Sequence, residues 1–219
     1  MDNELTVIYY TSNQEKPGFE EKIRQTLLET IGDLPLISVS QKPMDFGKNI
    51  CVGDVGVSGQ NAHRQLQIGA IEANTKFVCI AESDFLYPKE YFEFRPKNPS
   101  IGYLITPVWV LISMRGKAKV FVKKHRGCQG ALVVGRHHLI GGIEDQLQGL
   151  GTWGDKFPNG STFRYLLNVL GREYQDISIP SITFKTDEQM HRKTPHDPDS
   201  KCRELPYWGT AKELLDAYL

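Results

Sequence analysis

The sequence lacks the long apolar runs, clustered cysteines and charge excess that mark several large classes of protein. No stretch approaches about 18 consecutive apolar residues, so no transmembrane helix is predicted. The four cysteines stand far apart and form no CxxC pair, which argues against a zinc ribbon and a thioredoxin-like site. The 26 basic and 26 acidic residues cancel, so no overall charge draws the protein onto nucleic acid or an anionic membrane.

Several catalytic and targeting motifs are also missing. There is no Walker A, HExxH or GxSxG pattern, which argues against an NTPase, a zinc protease and a serine hydrolase. The first residues show no basic stretch followed by an apolar one, so no secretory leader is predicted. Cys79 lies in the apolar run FVCIA and is expected to be a buried thiol, which favours a reducing, cytoplasmic compartment.

The first hundred residues alternate strand-like and helix-like patterns. The run LTVIYY at 5–10 predicts a buried first strand, and Pro17 opens a helix with apolar residues at every fourth position. A strand at 36–39, a helix at about 60–74 and the apolar run KFVCIA at 76–81 follow. This order predicts a doubly wound α/β half, whose ligands bind beyond the carboxyl ends of its strands.

The second half has longer strand-like runs. Strands at 101–113 and 117–122 are predicted to pair antiparallel, and a short strand at 130–134 follows. Helices are predicted near 138–148 and at 161–170. The whole chain of 219 residues is therefore expected to form one mixed α/β domain with an antiparallel C-terminal part.

The run Glu82-Ser83-Asp84 follows a buried strand directly and is the most informative polar feature. It fits a capped turn before a short helix near Pro88. It also fits a magnesium or manganese site, because these ions take one or two carboxylates from a protein and the rest of their ligands from phosphate and water. A glycosidase-type acid and base pair is a third interpretation, but residues two apart on one loop do not obviously face each other across a sugar.

Five features occur in the order typical of a known family: Gly69, Ala73, the strand KFVCIA, the acidic run Glu82-Ser83-Asp84, and Pro88. In this the sequence resembles the family-2-like glycosyltransferases of GT-A fold, over roughly 6–147, about two thirds of the chain. It departs from their pattern at Glu82, where aspartate is usual, and at Gln67, where asparagine often stands.

The resemblance implies a GT-A, Rossmann-like mixed sheet with a nucleotide-sugar-binding half at 1–100 and an acceptor-binding half with a C-terminal lid at 101–219. It implies a metal-dependent hexosyl- or pentosyltransferase that uses Mn²⁺ or Mg²⁺. The donor would be a nucleoside-diphosphate sugar, with a UDP-sugar favoured. A divalent cation would neutralise charge that develops on the leaving nucleoside diphosphate.

The resemblance also implies roles for the acidic run and for a late histidine. Asp84 would coordinate the cation, and Glu82 would contact the ribose or the cation through water. Ser83, between them, would contact the donor. His191 would complete the metal shell, and the cationic Lys185, Arg192 and Lys193 of the same stretch would close on the phosphates as a lid.

In this family the end of the first strand holds the base and ribose, which corresponds here to Tyr10, Thr11 and Ser12. Asp54 is a further candidate for the base, and Arg64 for a donor phosphate. An ordinary polar turn at Thr11 and Ser12, and a solvated arginine on the surface of a helix, are the alternatives.

Glu144 and Asp145 are the candidates for the catalytic base. They follow Arg136 and the pair Gly141-Gly142, in a pattern similar to one that carries the base in family-2 enzymes. Two carboxylates after two glycines also fit a helix N-terminus that substrate approaches closely. The alternative is that they are acidic residues at a helix start, favoured by the helix dipole.

Other functions and two acceptors stay open. A nucleotidyltransferase usually shows a Gly-rich basic loop after its first strand, and TSNQEKPG matches this poorly. A non-catalytic nucleotide-binding module would not need the second acidic pair. The acceptor is a hydroxyl of a small molecule or glycan, or of a hydroxymethylated base in DNA. DNA would be held by a basic ribbon of residues within one stretch: Lys117, Lys119, Lys123, Lys124, His125 and Arg126.

Overall fold

The computed structural model describes residues 4–113, 119–124, 127–154, 162–186 and 200–219. Within these ranges the chain forms a ten-stranded mixed sheet with helices on both faces. The predicted α/β class, with a doubly wound first half and an antiparallel second part, is confirmed. No helix of the described ranges is long and apolar enough to cross a membrane.

The first half contributes four parallel strands in the order β3-β2-β1-β4. They are β1 (Leu5–Thr11), β2 (Leu36–Ser40), β3 (Lys48–Cys51) and β4 (Phe77–Glu82). Helix α1 (Pro17–Ile31) joins β1 to β2, and α2 (Gly59–Glu72) joins β3 to β4. Because β1 and β4 are buried along almost their whole length, their sequences are nearly continuous apolar runs.

The second half extends the sheet beyond β4. Its elements are β5 (Phe85–Leu86), α3 (Lys89–Glu93), β6 (Gly102–Ser113), β7 (Val120–Lys123), a 3-10 helix (Gln129–Ala131), β8 (Leu132–Gly135), α4 (Arg136–Gln146), α5 (Thr162–Leu170), β9 (Arg172–Thr186), β10 (Lys201–Cys202), β11 (Glu204–Leu205), β12 (Gly209–Thr210) and α6 (Ala211–Tyr218). Strands β4, β8, β6, β7 and β10 pair antiparallel in that order. The long β9, which sequence patterns did not indicate, runs parallel to β6 and antiparallel to β5.

Apolar side chains fill the space between the sheet and both helix layers. On one face, Leu27 of α1 and Tyr91 of α3 pack against the sheet, and on the other Leu66 of α2 and Leu139 of α4 do so. Gly69 explains the close fit of α2, since a Cβ atom there would lie 2.6 Å from Cγ2 of Ile8 in β1. The predicted buried thiol of Cys79 is confirmed.

Helix α4 corrects the expectation about the two glycines. It begins at Arg136, so Gly141 and Gly142 lie inside it, and Glu144 and Asp145 lie near its C-terminal end rather than at a helix start. A Cβ atom on Gly142 would lie 2.8 Å from Cδ2 of Leu170 in α5. This glycine therefore allows two helices to pack closely, which gives it a structural role that does not involve a ligand.

Candidate functional site

A cleft of about 220 Å³ opens at the carboxyl ends of β1 and β4, where the doubly wound pattern predicts a ligand site. Its walls come from the loop after β1, the start of α2, the loop after β4 and the end of β9. Residues from both halves of the chain line it, among them Thr11, Glu15, Ser58, Glu82, Asp84 and Lys185.

Asp84 and Lys185 form a buried ion pair in this cleft, each with about 8% of its surface exposed. Lys185 Nζ donates to Asp84 Oδ2 at 2.5 Å, and Thr183 Oγ1 donates to the same oxygen at 3.3 Å. The pairing of Phe85 in β5 with Thr183 in β9 fixes this arrangement. Burial is the largest single influence and would lower the pKa of Lys185, but the charge and hydrogen bond of Asp84, together with the charges of Glu82 and Glu15, raise that pKa, so the lysine is a cation.

Glu82 is bound to the end of β1. The parallel register pairs Tyr10 with Glu82, and Tyr10 Oη donates to Glu82 Oε1 at 2.5 Å. Burial, followed by the Glu82 carboxylate, raises the pKa of the Tyr10 phenol well above its usual value, so the phenol stays a donor. Burial, followed by the nearby Asp84 carboxylate, also raises the pKa of Glu82. The two acidic residues of the predicted pair thus have different partners.

Glu15 is a third carboxyl group in the cleft, and sequence reasoning missed it. It lies in the loop after β1 with 7% of its surface exposed. Burial, followed by the Asp84 carboxylate, raises its pKa from 4.5 to about 7. The loop TSNQEKPG matches no motif, and the only available signal was an acidic residue shortly after a buried strand.

The N-terminal residues of α2 form part of the cleft wall. Ser58 caps the helix by accepting from the Asn61 amide at 3.0 Å, and Gly59 and Ala62 follow it along the cleft wall. Gln65 ties this helix to the sheet by donating to the carbonyl oxygens of Thr11 and Val39, at 2.8 and 2.9 Å. The positive end of the helix dipole therefore faces the cleft, which favours an anionic ligand there.

The cleft brings together six of the predicted site residues: Tyr10, Thr11, Ser12, Glu82, Ser83 and Asp84. Lys185, expected in the C-terminal lid, lines it as well, whereas the other candidates in the described part of the chain do not. Asp54 is exposed on the loop after β3, and Arg64 donates to Gln67 along α2 at 2.8 Å.

The remaining predicted residues are divided between α4 and the tail. Glu144 and Asp145 are exposed on α4 and are absent from the cleft walls that the described ranges form. His191, Arg192 and Lys193 lie outside the described residues, whereas Lys185 is in place beside Asp84.

The basic ribbon is only partly within the described residues, since Lys117, His125 and Arg126 fall outside them. Lys119 Nζ lies 3.6 Å from Asp216 Oδ1, which makes it part of an exposed ion pair. Lys124 is half-buried, and its charge helps to lower the pKa of Glu82 against the effect of burial. These two lysines therefore have acidic neighbours within the protein.

The donor chemistry of the cleft fits a hard divalent cation in part. Glu82 and Asp84 offer carboxylate oxygens, and the Asp84 carboxylate contributes to raising the pKa of both Glu82 and Glu15, so a cation bound here would favour the ionised forms of these groups. No group of three or more His, Cys, Asp or Glu side chains in the described ranges converges on one point. A cation here would thus need phosphate or water oxygens to complete its shell.

No protein-family model and no curated protein matches the sequence. Solved structures share parts of the fold, and three of them do so at 8–9% sequence identity. The bifunctional IspDF of Campylobacter jejuni superposes with a TM-score of 0.45 over 80% of this chain and 49% of its own. A candidate nucleotide-diphospho-sugar transferase from Desulfovibrio desulfuricans G20 superposes with a TM-score of 0.41 over 84% of this chain and 82% of its own.

The third structure, TarS of S. aureus, has a TM-score of 0.44 over 83% of this chain and 36% of its own. The chain therefore spans about half the length of IspDF and about a third of TarS. At these TM-scores and identities the likeness does not by itself indicate an activity.

Proposed function

We propose that this protein transfers a sugar from a nucleoside-diphosphate sugar to an acceptor hydroxyl, and that the cleft binds the donor. One observation supports this most: an acidic pair, a buried lysine and a helix N-terminus meet at the carboxyl ends of parallel strands. Such a cleft offers cationic groups to a diphosphate and hydrogen-bond acceptors to the hydroxyl groups of a sugar or ribose.

The diphosphate is assigned to the side of the cleft where Lys185 and the start of α2 lie. Lys185 is charged and buried, so its attraction for a phosphate is screened by water less than that of a surface lysine. The amides at the start of α2 add donors without any charged side chain. The base and ribose are assigned to Thr11 and Ser12, at the end of β1.

We assign Asp84, with Glu82 nearby, to a Mg²⁺ or Mn²⁺ ion that accompanies the donor. When bound, such an ion stabilises the charge that forms on the departing nucleoside diphosphate. Lys185 and Thr183 hold the Asp84 carboxylate in a fixed orientation, and the Tyr10 hydroxyl does the same for Glu82. The excess of carboxyl groups over cationic side chains also supports the ion, because their ionised forms would otherwise repel the diphosphate.

For the base that takes the acceptor proton, we propose Glu15 in preference to Glu144 and Asp145. Glu15 lines the cleft, whereas Glu144 and Asp145 are exposed on α4. Its pKa of about 7 suits a group that must accept a proton near neutral pH. The acceptor, a small molecule or glycan or a modified base in DNA, is left to experiment.

Calorimetry with UDP and with GDP, each with and without Mn²⁺, tests the donor site directly. We expect one of the two to bind, and Mn²⁺ to strengthen the binding. Asp84→Asn should abolish the metal effect while leaving a neutral partner for Lys185. The matched control is Asp54→Asn, an exposed aspartate outside the cleft, which should bind as the wild type does.

Two outcomes would overturn the proposal. Absence of binding by either nucleotide would remove the donor site. Binding of a nucleoside triphosphate, with neither diphosphate bound, would instead favour a nucleotidyltransferase.

A further inference from the structure

A chain of hydrogen-bonded side chains leads from Glu82 into the helix layer, away from the cleft. Tyr10 Oη donates to Glu82 Oε1, and Gln129 Nε2 donates to Tyr10 Oη at 3.1 Å. Gln129 Oε1 then lies 2.8 Å from His63 Nε2, and Gln146 Oε1 lies 2.7 Å from His63 Nδ1. We call these five residues the polar chain.

The polar chain connects five separate elements of the fold. Its members come from β4, β1, the 3-10 helix, α2 and α4, in order from Glu82 to Gln146. His63 is 1% exposed and Gln146 is 7% exposed, so water does not replace the contact between them, whereas Tyr10, Glu82 and Gln129 are half-buried. Burying a polar group costs free energy unless it is paired, and the hydrogen bonds of His63 therefore fix the orientation of its ring.

Hydrogen-bond direction runs along the polar chain because each member has few options. Burial lowers the pKa of His63, so the ring is neutral and carries one hydrogen. With Gln129 oriented as it is, that hydrogen lies on Nε2 and is donated to Gln129 Oε1, and Nδ1 then accepts a hydrogen bond from Gln146, whose side-chain amide turns its NH₂ group toward the ring. The amide of Gln129 then donates to Tyr10, which leaves the single hydroxyl hydrogen of Tyr10 for Glu82.

Reversal of the Gln129 amide would remove this donor from Glu82. The Tyr10 hydrogen would then point at Gln129 Oε1, and Glu82 would face the oxygen of Tyr10 without a hydrogen between them. The 3-10 helix also lies directly against Glu82, since a Cβ atom on Gly130 would lie 2.8 Å from Glu82 Oε2. Both oxygens of Glu82 are thus constrained by the segment that contains Gln129.

We propose that Gln129 and His63 are positioning residues that act on Glu82 through the Tyr10 hydroxyl. Their role in donor binding rests on the proposed function, but the coupling from Glu82 to His63 does not. Neither residue lines the cleft among the residues that the structure describes. The side-chain hydrogen bonds give both residues a route to the cleft through Tyr10, and the experiments below distinguish this route from the direct contact of Gly130 with Glu82.

Nitrogen NMR of the histidine rings in the full chain tests the coupling without a ligand. The His63 signal is assigned by its loss in His63→Gln, among the six histidines of the protein. Glu82→Gln should shift the His63 ring nitrogens, because an amide in place of the carboxylate changes the direction of the Tyr10 hydrogen bond. Asp84→Asn, two residues away, is the matched control and should shift them less, because it removes a charge near Glu82 but leaves the hydrogen bond between Glu82 and Tyr10 in place.

A second pair of variants identifies the route. In a Gln129→Leu background, Glu82→Gln should no longer affect His63. Equal shifts from Glu82→Gln and Asp84→Asn would overturn the proposal, and so would a shift that persists in that background. Thermal unfolding of each variant establishes that the comparison is between folded proteins.

A double-mutant cycle on the affinity for UDP with Mn²⁺ tests the consequence for the cleft. Tyr10→Phe and Gln129→Leu should each weaken binding about 3- to 10-fold, the usual range for one hydrogen bond, and together no more than Tyr10→Phe alone. Gln67→Leu, a buried glutamine of α2 outside the polar chain, is the control.

The NMR experiment tests the polar chain without a ligand, whereas the double-mutant cycle also depends on the proposed donor site. Effects that multiply in the cycle would mean that Gln129 does not act through Tyr10. Failure of the wild type to bind UDP or GDP would overturn the proposed function, and the NMR arm would still decide the polar chain.

Discussion

The two halves of the molecule build the cleft in different ways. The first half supplies strand ends and a helix start whose positions follow from parallel pairing of β1, β2 and β4. The second half supplies Thr183 and Lys185 of β9, and Lys185 lies 101 positions from its partner Asp84. Acidic groups of the cleft thus come from local order in the first half, whereas the cation that balances them depends on long-range pairing.

Removing Lys185, the cation that the second half contributes to the cleft, should cause the largest loss of stability. Lys185→Leu leaves the buried Asp84 carboxylate without its cation, and loss of one partner of a buried ion pair costs about 3–5 kcal/mol. Urea unfolding at neutral pH measures the loss.

The control for this variant is Lys48→Ala, which breaks the exposed ion pair with Glu72 and should cost less than about 1 kcal/mol. Equal losses for the two variants would mean that the buried pair does not hold the second half onto the cleft.

The same contrast explains how much the sequence could predict. The parallel strands, the acidic run at 82–84 and the end of β1 are visible in short windows, because burial on both faces leaves continuous apolar runs that polar residues end. β9 begins with polar and charged residues, and its pairing partners are distant in sequence. The contact of Lys185 with Asp84 therefore has no local signal.

The pair Gly141-Gly142 shows a different limit of prediction from sequence. Two adjacent glycines before two acidic residues indicate a close approach, but not what approaches. Here Gly142 meets Leu170 of α5. Only the position of α5, which depends on tertiary packing, distinguishes a helix contact from a ligand contact.

Replacing each of these glycines with alanine tests that interpretation, and Gly142→Ala should cause the next largest loss of stability. Gly142→Ala should destabilise the protein by about 1–3 kcal/mol, since the added methyl group overlaps Leu170. Gly141→Ala should be neutral or stabilising by about 0.5–1 kcal/mol, because nothing lies within 4 Å of its Cβ position and alanine favours a helix. Chemical denaturation of both variants measures the difference. Similar values would remove the packing role of Gly142.

Glu15 should give a smaller, pH-dependent effect. Its pKa is about 7 in the fold and about 4.5 in the unfolded chain, so the folded state binds more protons between these values. The contribution of Glu15 to the free energy of unfolding is therefore most favourable below about pH 4.5 and falls as the pH rises to about 7. Glu15→Gln removes the free-energy cost of ionising this carboxyl group in the fold. The variant should therefore be more stable than the wild type at pH 8, by on the order of 1–2 kcal/mol, and much less so at pH 5.

Unfolding at both pH values provides the measurement. Glu144→Gln, which changes an exposed glutamate, should alter stability little at either pH. A gain from Glu15→Gln that is the same at pH 5 and pH 8 would contradict a proton-linked origin.

The smallest effects are expected from Glu144 and Asp145, the acidic pair that sequence order favoured as the base. Both are exposed on α4 and do not line the cleft in the described ranges, so removing either charge should change UDP affinity and UDP release from a UDP-sugar less than about twofold. Glu15→Gln should instead slow release about 10²- to 10⁴-fold with UDP affinity retained, which is the range for loss of a general base. A hundredfold loss in Glu144→Gln or Asp145→Asn at unchanged affinity would return that role to α4, and the second half would then supply the base as well as the cation of the cleft.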